Sequence, residues 1–255
     1  MIHLIEVYKS FQGQQVLKGI TLEIPKGQIT AIIGRSGSGK TVLLKHLIGL
    51  IRPDRGRVLV DGVDIGTLRG RVLDKLRDRF GMLFQGGALF DSLTVFDNVA
   101  FPLREKTRMP EAEIRKRVEE KLQAVGLAGM GHKYPVELSG GMKKRAALAR
   151  ALIMDPEIVL FDEPTTGLDP IMLNAIHRLI VETQKVLGFT AVVVSHDIPE
   201  IFDIAHRVAV IHDGSIVAYD SPEGIQGSQD PLIRQFMTGG VQGPSNLSRI
   251  VQEDL

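Results

Sequence analysis

Cysteine is absent from the sequence, which excludes disulfides, thiolate metal sites and cysteine nucleophiles. The absence fits a reducing compartment. Basic and acidic residues nearly cancel and leave a formal net charge of +1. A nucleic-acid-binding protein would need a concentrated basic surface, so we expect no nucleic acid partner.

Long apolar runs are also missing. None approaches the roughly 18 residues that a membrane span requires, and the N-terminal segment Met1–Glu6 lacks the basic start and apolar core of a signal peptide. We therefore expect a soluble, cytoplasmic chain that reaches a membrane only by docking on another protein. The 44% hydrophobic content is enough for a sizeable core, and 255 residues can form one large domain or a domain with a subdomain.

A glycine-rich segment that fits the pattern G-x-x-x-x-G-K-[ST] is the strongest motif in the chain. It follows an apolar run that predicts a buried strand, and it leads into a segment with helical periodicity. Glycines let successive backbone N–H groups converge on phosphate oxygens, and the helix N-terminus adds its positive dipole end. Lys40 can reach the outer phosphates as a point charge, and the Thr41 hydroxyl is placed to ligate Mg²⁺. The predicted nucleotide-binding residues of this loop are Gly34, Arg35, Ser36, Gly37, Ser38, Gly39, Lys40 and Thr41.

Strand-like and helix-like segments alternate over most of the chain. A helical stretch from about residue 86 to 154 interrupts the alternation, which predicts an α/β fold with a mostly parallel sheet, helices on both faces and an inserted helical subdomain. From about residue 221 the composition shifts to Gly, Gln, Ser and Pro, which predicts a short helix near 231–238 and a tail. We therefore expect one domain at 1–220 and a C-terminal extension at 221–255. The runs that predict strands lie at 2–24, 29–33, 57–65, 79–84, 157–161, 190–194 and 208–219.

Two acids, Asp162 and Glu163, stand where a predicted strand ends. Beside a phosphate-binding loop, Asp162 can hold the Mg²⁺ shell and Glu163 can accept a proton from an attacking water. An acid pair alone could equally be a helix cap or a solvated turn. Gln85 and His196 also follow strands, so they can reach the same edge of the sheet. Gln85 could contact the metal or the water, and His196 could contact the γ-phosphate, whereas in isolation each would be interpreted as an ordinary loop residue.

The segment Leu138–Met142 reads Leu-Ser-Gly-Gly-Met. Ser139 can cap a helix that starts near Gly141, and the glycines expose backbone N–H groups, which makes a second anion site. A plain capped helix explains the same residues. The following Lys143–Arg145 is interpreted as the solvated face of that helix.

Together these segments resemble the ATP-binding subunits of ABC transporters, over about residues 2–220. In that family Gly34–Thr41 corresponds to the Walker A motif, Gln85 to the Q-loop, Ile158–Glu163 to Walker B and His196 to the switch histidine, while Phe11 matches the aromatic residue that stacks on adenine. The resemblance implies an active ATPase with ATP and Mg²⁺ as cofactors, the ion being held by Thr41, Gln85 and Asp162. It also implies a P-loop NTPase fold with a RecA-like parallel-sheet core, an N-terminal antiparallel β-subdomain and the inserted helical subdomain.

The resemblance further implies a head-to-tail homodimer. Leu138–Met142 matches the family signature, with Met142 in place of the usual Gln, and Gly167–Asp169 matches the D-loop. Each ATP would then lie between the loop of one subunit and the signature helix of the other. The residues implied to act on the partner's ATP are Ser139, Gly140, Gly141 and Asp169.

Within the family, the segments Met82–Phe90 and Val95–Glu105 resemble the ATPases paired with MCE-domain proteins, the Mla-type phospholipid transporters. Asp230–Phe236 and Gly243-Pro244 resemble their C-terminal extension. The resemblance implies a peripheral protein on the cytoplasmic side of the inner membrane that drives phospholipid movement between the inner and outer membranes. Its implied partners are an integral membrane permease, an MCE-domain lipid-binding protein and a STAS-domain subunit.

Three alternatives stay open at this point. An importer ATPase for a small polar solute shares every core motif, a soluble ABC mechanoprotein is a different class, and a nucleotide-gated scaffold would not turn over ATP. The segment 86–105 lies where ABC ATPases receive a permease's coupling helix. Its apolar residues Phe90, Leu93 and Phe96 either line that groove or form the subdomain's own core.

Overall fold

The computed structural model describes residues 1–238, and Gly243-Pro244 lies outside them. Its strands are β1 (Ile2–Phe11), β2 (Gln14–Ile24), β3 (Ile29–Ile33), β4 (Arg55–Val60), β5 (Val63–Asp64), β6 (Phe80–Leu83), β7 (Ile158–Asp162), β8 (Thr190–Ser195), β9 (Arg207–His212) and β10 (Ser215–Asp220). Its α-helices are α1 (Lys40–Leu47), α2 (Gly70–Arg77), α3 (Val95–Lys106), α4 (Glu111–Ala124), α5 (Gly140–Leu152), α6 (Pro170–Leu187), α7 (Pro222–Gln226) and α8 (Pro231–Thr238).

The first sheet is antiparallel, with strand order β2-β1-β4-β5. Ile2 pairs with Ile24 on one side and with Val60 on the other, and all three side chains are buried. The hairpin between β4 and β5 turns at Asp61 and Gly62, both with positive φ, as an Asp-Gly turn requires. The predicted N-terminal antiparallel β-subdomain is confirmed.

The second sheet has six strands in the order β10-β9-β3-β8-β7-β6, and only the edge strand β10 is antiparallel. Every residue of β3, β7 and β8 is buried, as expected for strands covered on both faces. Ile33 pairs with Ser195, and Asp162 pairs with Val194. The carboxyl ends of these three strands therefore meet at one edge, and the predicted α/β fold is confirmed.

The helices α3, α4 and α5 follow β6 and precede β7, so they form the predicted insertion. They pack on one another around Val99, Leu122 and Leu148, all of which are buried. The Thr94 hydroxyl caps α3 by accepting the N–H of Asp97 at 3.1 Å. Helix α3 continues through Pro102.

Two apolar clusters hold the layers together. One joins the helical insertion to one face of the parallel sheet, and the other fills the space between the two sheets. Helix α8 belongs to the first cluster through its buried Ile233. Within residues 1–238, we find no helix with the length and apolar character that crossing a membrane would demand.

Candidate active site

The glycine-rich loop connects β3 to α1 at the carboxyl edge of the parallel sheet. Gly39 takes φ 102° and forms the N-cap of α1. A side chain there would be strained, and its Cβ would come within 2.8 Å of the Leu17 Cδ2 atom. The glycine therefore allows the loop to turn directly into the helix and to aim its backbone N–H groups outward.

Lys40 is folded into this loop, and only 5% of its surface is exposed. Its Nζ donates to the carbonyl oxygens of Gly34 at 2.8 Å and Arg35 at 2.9 Å. Burial lowers the pKa of Lys40, and the charges of Glu163 and Asp162 oppose that shift. The ammonium group is thus positioned at the loop by hydrogen bonds within the same chain.

Asp162 ends β7 beside the start of α1. Its Oδ1 accepts a hydrogen bond from the Thr41 hydroxyl at 3.1 Å. Burial raises the pKa of Asp162, while that hydrogen bond opposes the rise. The Ser38 hydroxyl is buried too, with no hydrogen-bond partner within residues 1–238. The buried carboxylate that accepts from Thr41 is suited to a cation, and the unpartnered Ser38 hydroxyl is suited to a phosphate oxygen.

The donor set at this edge fits Mg²⁺, which prefers oxygen ligands and commonly takes one or two carboxylates together with substrate phosphates. Thr41 and Asp162 offer such oxygens, and Gln85 can add its amide oxygen. Within the described chain no group of three or more His, Asp or Glu could hold a metal. An ion here would therefore depend on phosphate oxygens to complete its shell.

The Glu163 carboxylate is held by groups from separate segments. Its Oε2 accepts from the Gln85 Nε2 at 2.9 Å and from the Thr166 hydroxyl at 3.0 Å. His196 Nδ1 lies 3.4 Å from its Oε1. Glu163 itself has φ 47°, a left-handed conformation that is uncommon for this residue type. Gln85, Glu163 and His196 are therefore brought together, as the sequence predicts.

A cavity of about 260 Å³ opens beside Gln85 and Glu163, and His196 does not line it. Three predicted site residues lie behind this lining: Lys40 donates to the carbonyl oxygens of Gly34 and Arg35, and Thr41 donates to Asp162. Phe11 does not line the cavity. Phe11 is exposed, with the Lys9 ammonium 5.5 Å from its ring centre. The lining residues are Val16, Ser36, Gly37, Gly39, Lys40, Thr41, Val42, Gln85 and Glu163.

Val16 is a lining residue that sequence analysis does not identify. It lies in β2 of the antiparallel sheet, so only the docking of one sheet against the other brings it to the loop. Its alternating pattern predicts a strand and gives no signal of a binding role. We use "phosphate cradle" below for Gly34–Thr41 with Asp162 and Glu163.

A second group, Ser139–Gly141 with Asp169, is called the signature end below. Ser139 Oγ caps α5 by accepting the Met142 N–H at 3.3 Å, and Asp169 Oδ1 caps α6 by accepting the Met172 N–H at 2.9 Å. A Cβ on Gly140 would lie 3.7 Å from the Leu168 Cδ2 atom. The first turn of α5 therefore lies close to the loop before α6, and no residue of the signature end lines the cradle cavity of the same chain.

Lys144 corrects the prediction that Lys143–Arg145 is a solvated face. Its side chain is 7% exposed, and its Nζ donates to the main-chain oxygen of Gln85. Gly141 and Ala147, three residues away on either side, are also buried. Helical spacing thus places Lys144 on the buried stripe, and this periodicity is the signal that could have identified it.

An apolar groove of about 460 Å³ lies between the sheet edge and α3. Phe90 and Phe101 line it, and their ring centres are 5.1 Å apart. Phe96 instead packs against the subdomain core, and neither Phe96 nor Leu93 lines the groove. Each of the two open interpretations therefore holds for one residue: Phe90 lines the groove, and Phe96 packs against the core of the subdomain.

Comparison with known sequences agrees with this geometry. A family model described as ABC transporter matches residues 17–166, and one for AAA domains matches residues 134–203. The "Intermembrane phospholipid transport system ATP-binding protein MlaF" of Escherichia coli (strain K12) is 48% identical over 229 residues, covering 90% of this chain and 85% of that protein. The "Probable ribonucleotide transport ATP-binding protein mkl" of Mycobacterium leprae (strain TN) is 44% identical, covering 94% and 69%.

Solved structures give the same answer. A dimeric ATP-binding cassette in a post-hydrolysis state with ADP and Pi aligns with a TM-score of 0.80 at 34% identity, covering 87% of this chain and 99% of that one. CbiO1 from Clostridium perfringens, part of an ABC transporter complex, aligns with a TM-score of 0.83 at 33% identity, covering 98% and 96%. The chain therefore belongs to the ABC transporter family, as an ATP-binding subunit that hydrolyses ATP.

Proposed function

We propose that this ATPase drives phospholipid transport between the inner and outer membranes of a double-membraned cell. The observation that carries the proposal is the 48% identity to proteins named for intermembrane phospholipid transport, which extends over 90% of the chain. The identity to the dimeric cassette of the same fold is lower, at 34%. The likeness therefore goes beyond what the shared ATPase fold requires.

The phosphate cradle is proposed to hold the nucleotide. Backbone N–H groups of Gly34–Thr41 and the Lys40 ammonium bind the outer phosphates, and Phe11 stacks on the adenine. Thr41, Asp162 and Gln85 hold Mg²⁺, which neutralises charge on the phosphates when bound. The buried, unpartnered Ser38 hydroxyl supports an acceptor at this position.

Glu163 is proposed as the general base for hydrolysis. Its carboxylate takes a proton from a water as the water oxygen bonds to the γ-phosphorus, and the bond to the β–γ bridging oxygen breaks to release ADP and phosphate. Gln85 and Thr166 orient the carboxylate through the hydrogen bonds described above. His196, next to the same carboxylate, is placed to contact the γ-phosphate.

The signature end is proposed to act on the ATP of a second copy of the chain. Ser139, Gly140 and Asp169 are exposed, and they do not line the cavity of their own chain. Two solved structures of a cassette with this fold are described as dimeric, one of them bound to ADP and Pi. A twofold dimer would let Ser139–Gly141 of each copy close the phosphate cradle of the other.

The groove lined by Phe90 and Phe101 is proposed to receive an integral membrane permease, which places the ATPase on the cytoplasmic side of the inner membrane. An MCE-domain lipid-binding protein and a STAS-domain subunit complete the proposed assembly. We also propose a domain boundary after β10, at residue 220, with α7 and α8 opening the C-terminal extension. Relatives named as the ATP-binding protein of an intermembrane phospholipid transport system support an assembly with membrane partners.

The test is to purify the native complex from membranes and to analyse its lipids by mass spectrometry. The proposal expects an MCE-domain subunit and bound phospholipid. The second candidate is an importer for a small polar solute, which is favoured by the 44% identity to a protein named for ribonucleotide transport. A co-purifying periplasmic solute-binding protein without phospholipid would overturn the first proposal in favour of the second.

A further inference from the structure

Two side chains of α5 hydrogen-bond to the backbone of the loop 85–88, which carries Gln85. Lys144 Nζ donates to the Gln85 carbonyl oxygen. The Arg150 guanidinium donates to the carbonyl oxygens of Gly87 and Ala88, each at 2.7 Å. Lys144, Ala147 and Arg150 follow one another at three-residue spacing, so they form one row along the surface of the helix. Two cations from one helix therefore hold three of the four carbonyl groups of this loop.

Packing leaves the loop little freedom to slide along α5. Gly87 has φ 76° and Ala88 has φ 49°, so both take left-handed conformations. A Cβ on Gly87 would lie only 3.4 Å from the Ala147 Cβ, between the two cations on the same face. Burying the Lys144 ammonium is costly unless it is hydrogen-bonded, and the Gln85 carbonyl is the partner the structure gives it. The loop and α5 are therefore packed together as one unit.

This unit of α5 and the loop 85–88 connects two different nucleotide sites of the proposed dimer. Helix α5 begins at the signature end, where Ser139 is its N-cap five residues before Lys144. The loop carries Gln85, whose side chain donates to the Glu163 carboxylate at 2.9 Å. A continuous path thus runs from Ser139 through Lys144 and Gln85 to the proposed base.

We propose that Lys144 is a positioning residue that couples the two ATP sites of the dimer. When Ser139 of one copy engages the nucleotide held by the other, α5 shifts, and Lys144 carries the loop 85–88 with it. Gln85 then orients Glu163 at the copy's own nucleotide. The inference rests on the proposed composite sites, and it assigns the coupling between them to one buried hydrogen bond.

The experiment measures ATP hydrolysis against ATP concentration for the full-length chain in its native complex. Lys144→Met should lower kcat about tenfold and bring the Hill coefficient from near 2 toward 1, while half-saturation stays within about twofold. Lys144→Arg keeps a donor and should restore cooperativity. Lys116→Met removes the same charge from an exposed position of the same subdomain and should match wild type.

A Lys144→Met protein that keeps the wild-type Hill coefficient would overturn the inference, and so would a wild-type protein with a coefficient of 1. Equal loss in Lys144→Arg and Lys144→Met would also overturn it, because the retained donor would then be irrelevant.

Hydrogen exchange keeps the inference testable if Lys144→Met is less stable. In a Glu163→Gln background, ATP should protect the amides of both Gly34–Thr41 and loop 85–88. Adding Lys144→Met should abolish protection of the loop and keep that of Gly34–Thr41, and intact loop protection would contradict the coupling role. If Glu163→Gln protein with Lys144 intact forms no ATP-dependent dimer, the proposed composite site is wrong. That result is distinct from a failure of the role proposed for Lys144.

Discussion

The phosphate cradle and the signature end contrast in how their polar groups are used. In the cradle, Lys40 and Asp162 are buried and hydrogen-bonded within the chain, and Glu163 is held by neighbours from separate segments. At the signature end, Ser139 and Asp169 are exposed and cap only their own helices. One region is held together by contacts within a single chain, whereas the polar groups of the other stay exposed in a single copy.

Burial explains why the two regions differ. A charged group taken out of water needs partners in the folded chain, so the cradle must be assembled during folding. An exposed Ser or Asp keeps its water and can exchange it for a nucleotide later. The comparison predicts that changes in the cradle act on the nucleotide site of the same copy, while changes at the signature end act on the site of the partner copy.

Glu163→Gln is expected to have the largest effect on turnover. The amide cannot accept the proton of the attacking water, so hydrolysis should fall about 10³-fold. Lys40 and Asp162 are unchanged, so ATP should still bind and hold two copies together. Steady-state phosphate release and size-exclusion chromatography with ATP measure the two effects. Wild-type turnover in this variant would remove Glu163 from its proposed role.

Mixing Ser139→Arg protein with Lys40→Ala protein tests the signature end and the phosphate cradle separately. Each homodimer should lose turnover, by about 10²-fold or more, because both of its sites lack one essential group. A heterodimer of the two variants keeps one site with Lys40 from one copy and Ser139 from the other. Mixing should therefore restore turnover and occlude one nucleotide per dimer.

The same mixture tests the arrangement of the site directly. If Ser139 served the cradle of its own chain, neither copy in the heterodimer would be competent, and mixing would restore nothing. Two occluded nucleotides per heterodimer would equally contradict the head-to-tail arrangement.

Ser139→Ala compared with Thr94→Ala distinguishes a cap from a ligand. Both residues are N-caps in the helical subdomain, so each change should cost about 1 kcal/mol of the free energy of unfolding. Only Ser139 should also lower turnover, about tenfold, because it loses a charge-assisted hydrogen bond to the partner's nucleotide. Denaturant melts and ATPase assays measure both quantities. Equal turnover in the two variants would leave Ser139 as a cap alone.

Much of the cradle could be predicted because its signals are local. The glycine pattern of Gly34–Thr41 and the apolar run before Asp162 and Glu163 specify strand, loop and acid pair within a few residues. The meeting of Gln85 and His196 at one edge follows from the rule that parallel strands align their carboxyl ends.

What could not be predicted depends on distant contacts. Val16 joins the cavity through the docking of two sheets, and Phe90 and Phe96 diverge because the first precedes α3 and the second lies within it. The sequence favours a surface position for Lys144 because a lysine is rarely buried without a partner, and its partner lies 59 residues away along the chain. The errors therefore fall where residues far apart in sequence pack together.

Asp61→Asn should have the smallest effect and leave both regions intact. The N-terminal ammonium and then Arg79 hydrogen-bond this carboxylate and lower its pKa from 3.8 to about 2. A lowered carboxyl pKa stabilises the folded state above pH 3.8, and this contribution is lost as the pH falls toward 2. Because the Asp61 side chain is 39% exposed, solvent screens the pairs, and we expect about 0.5 kcal/mol at pH 7. Thermal melts from pH 7 to pH 3 should show wild type and variant converging on acidification, with equal ATPase activity at pH 7. A difference that grew in acid would contradict the assigned pairing, and a loss of turnover would show that the charge influences the cradle.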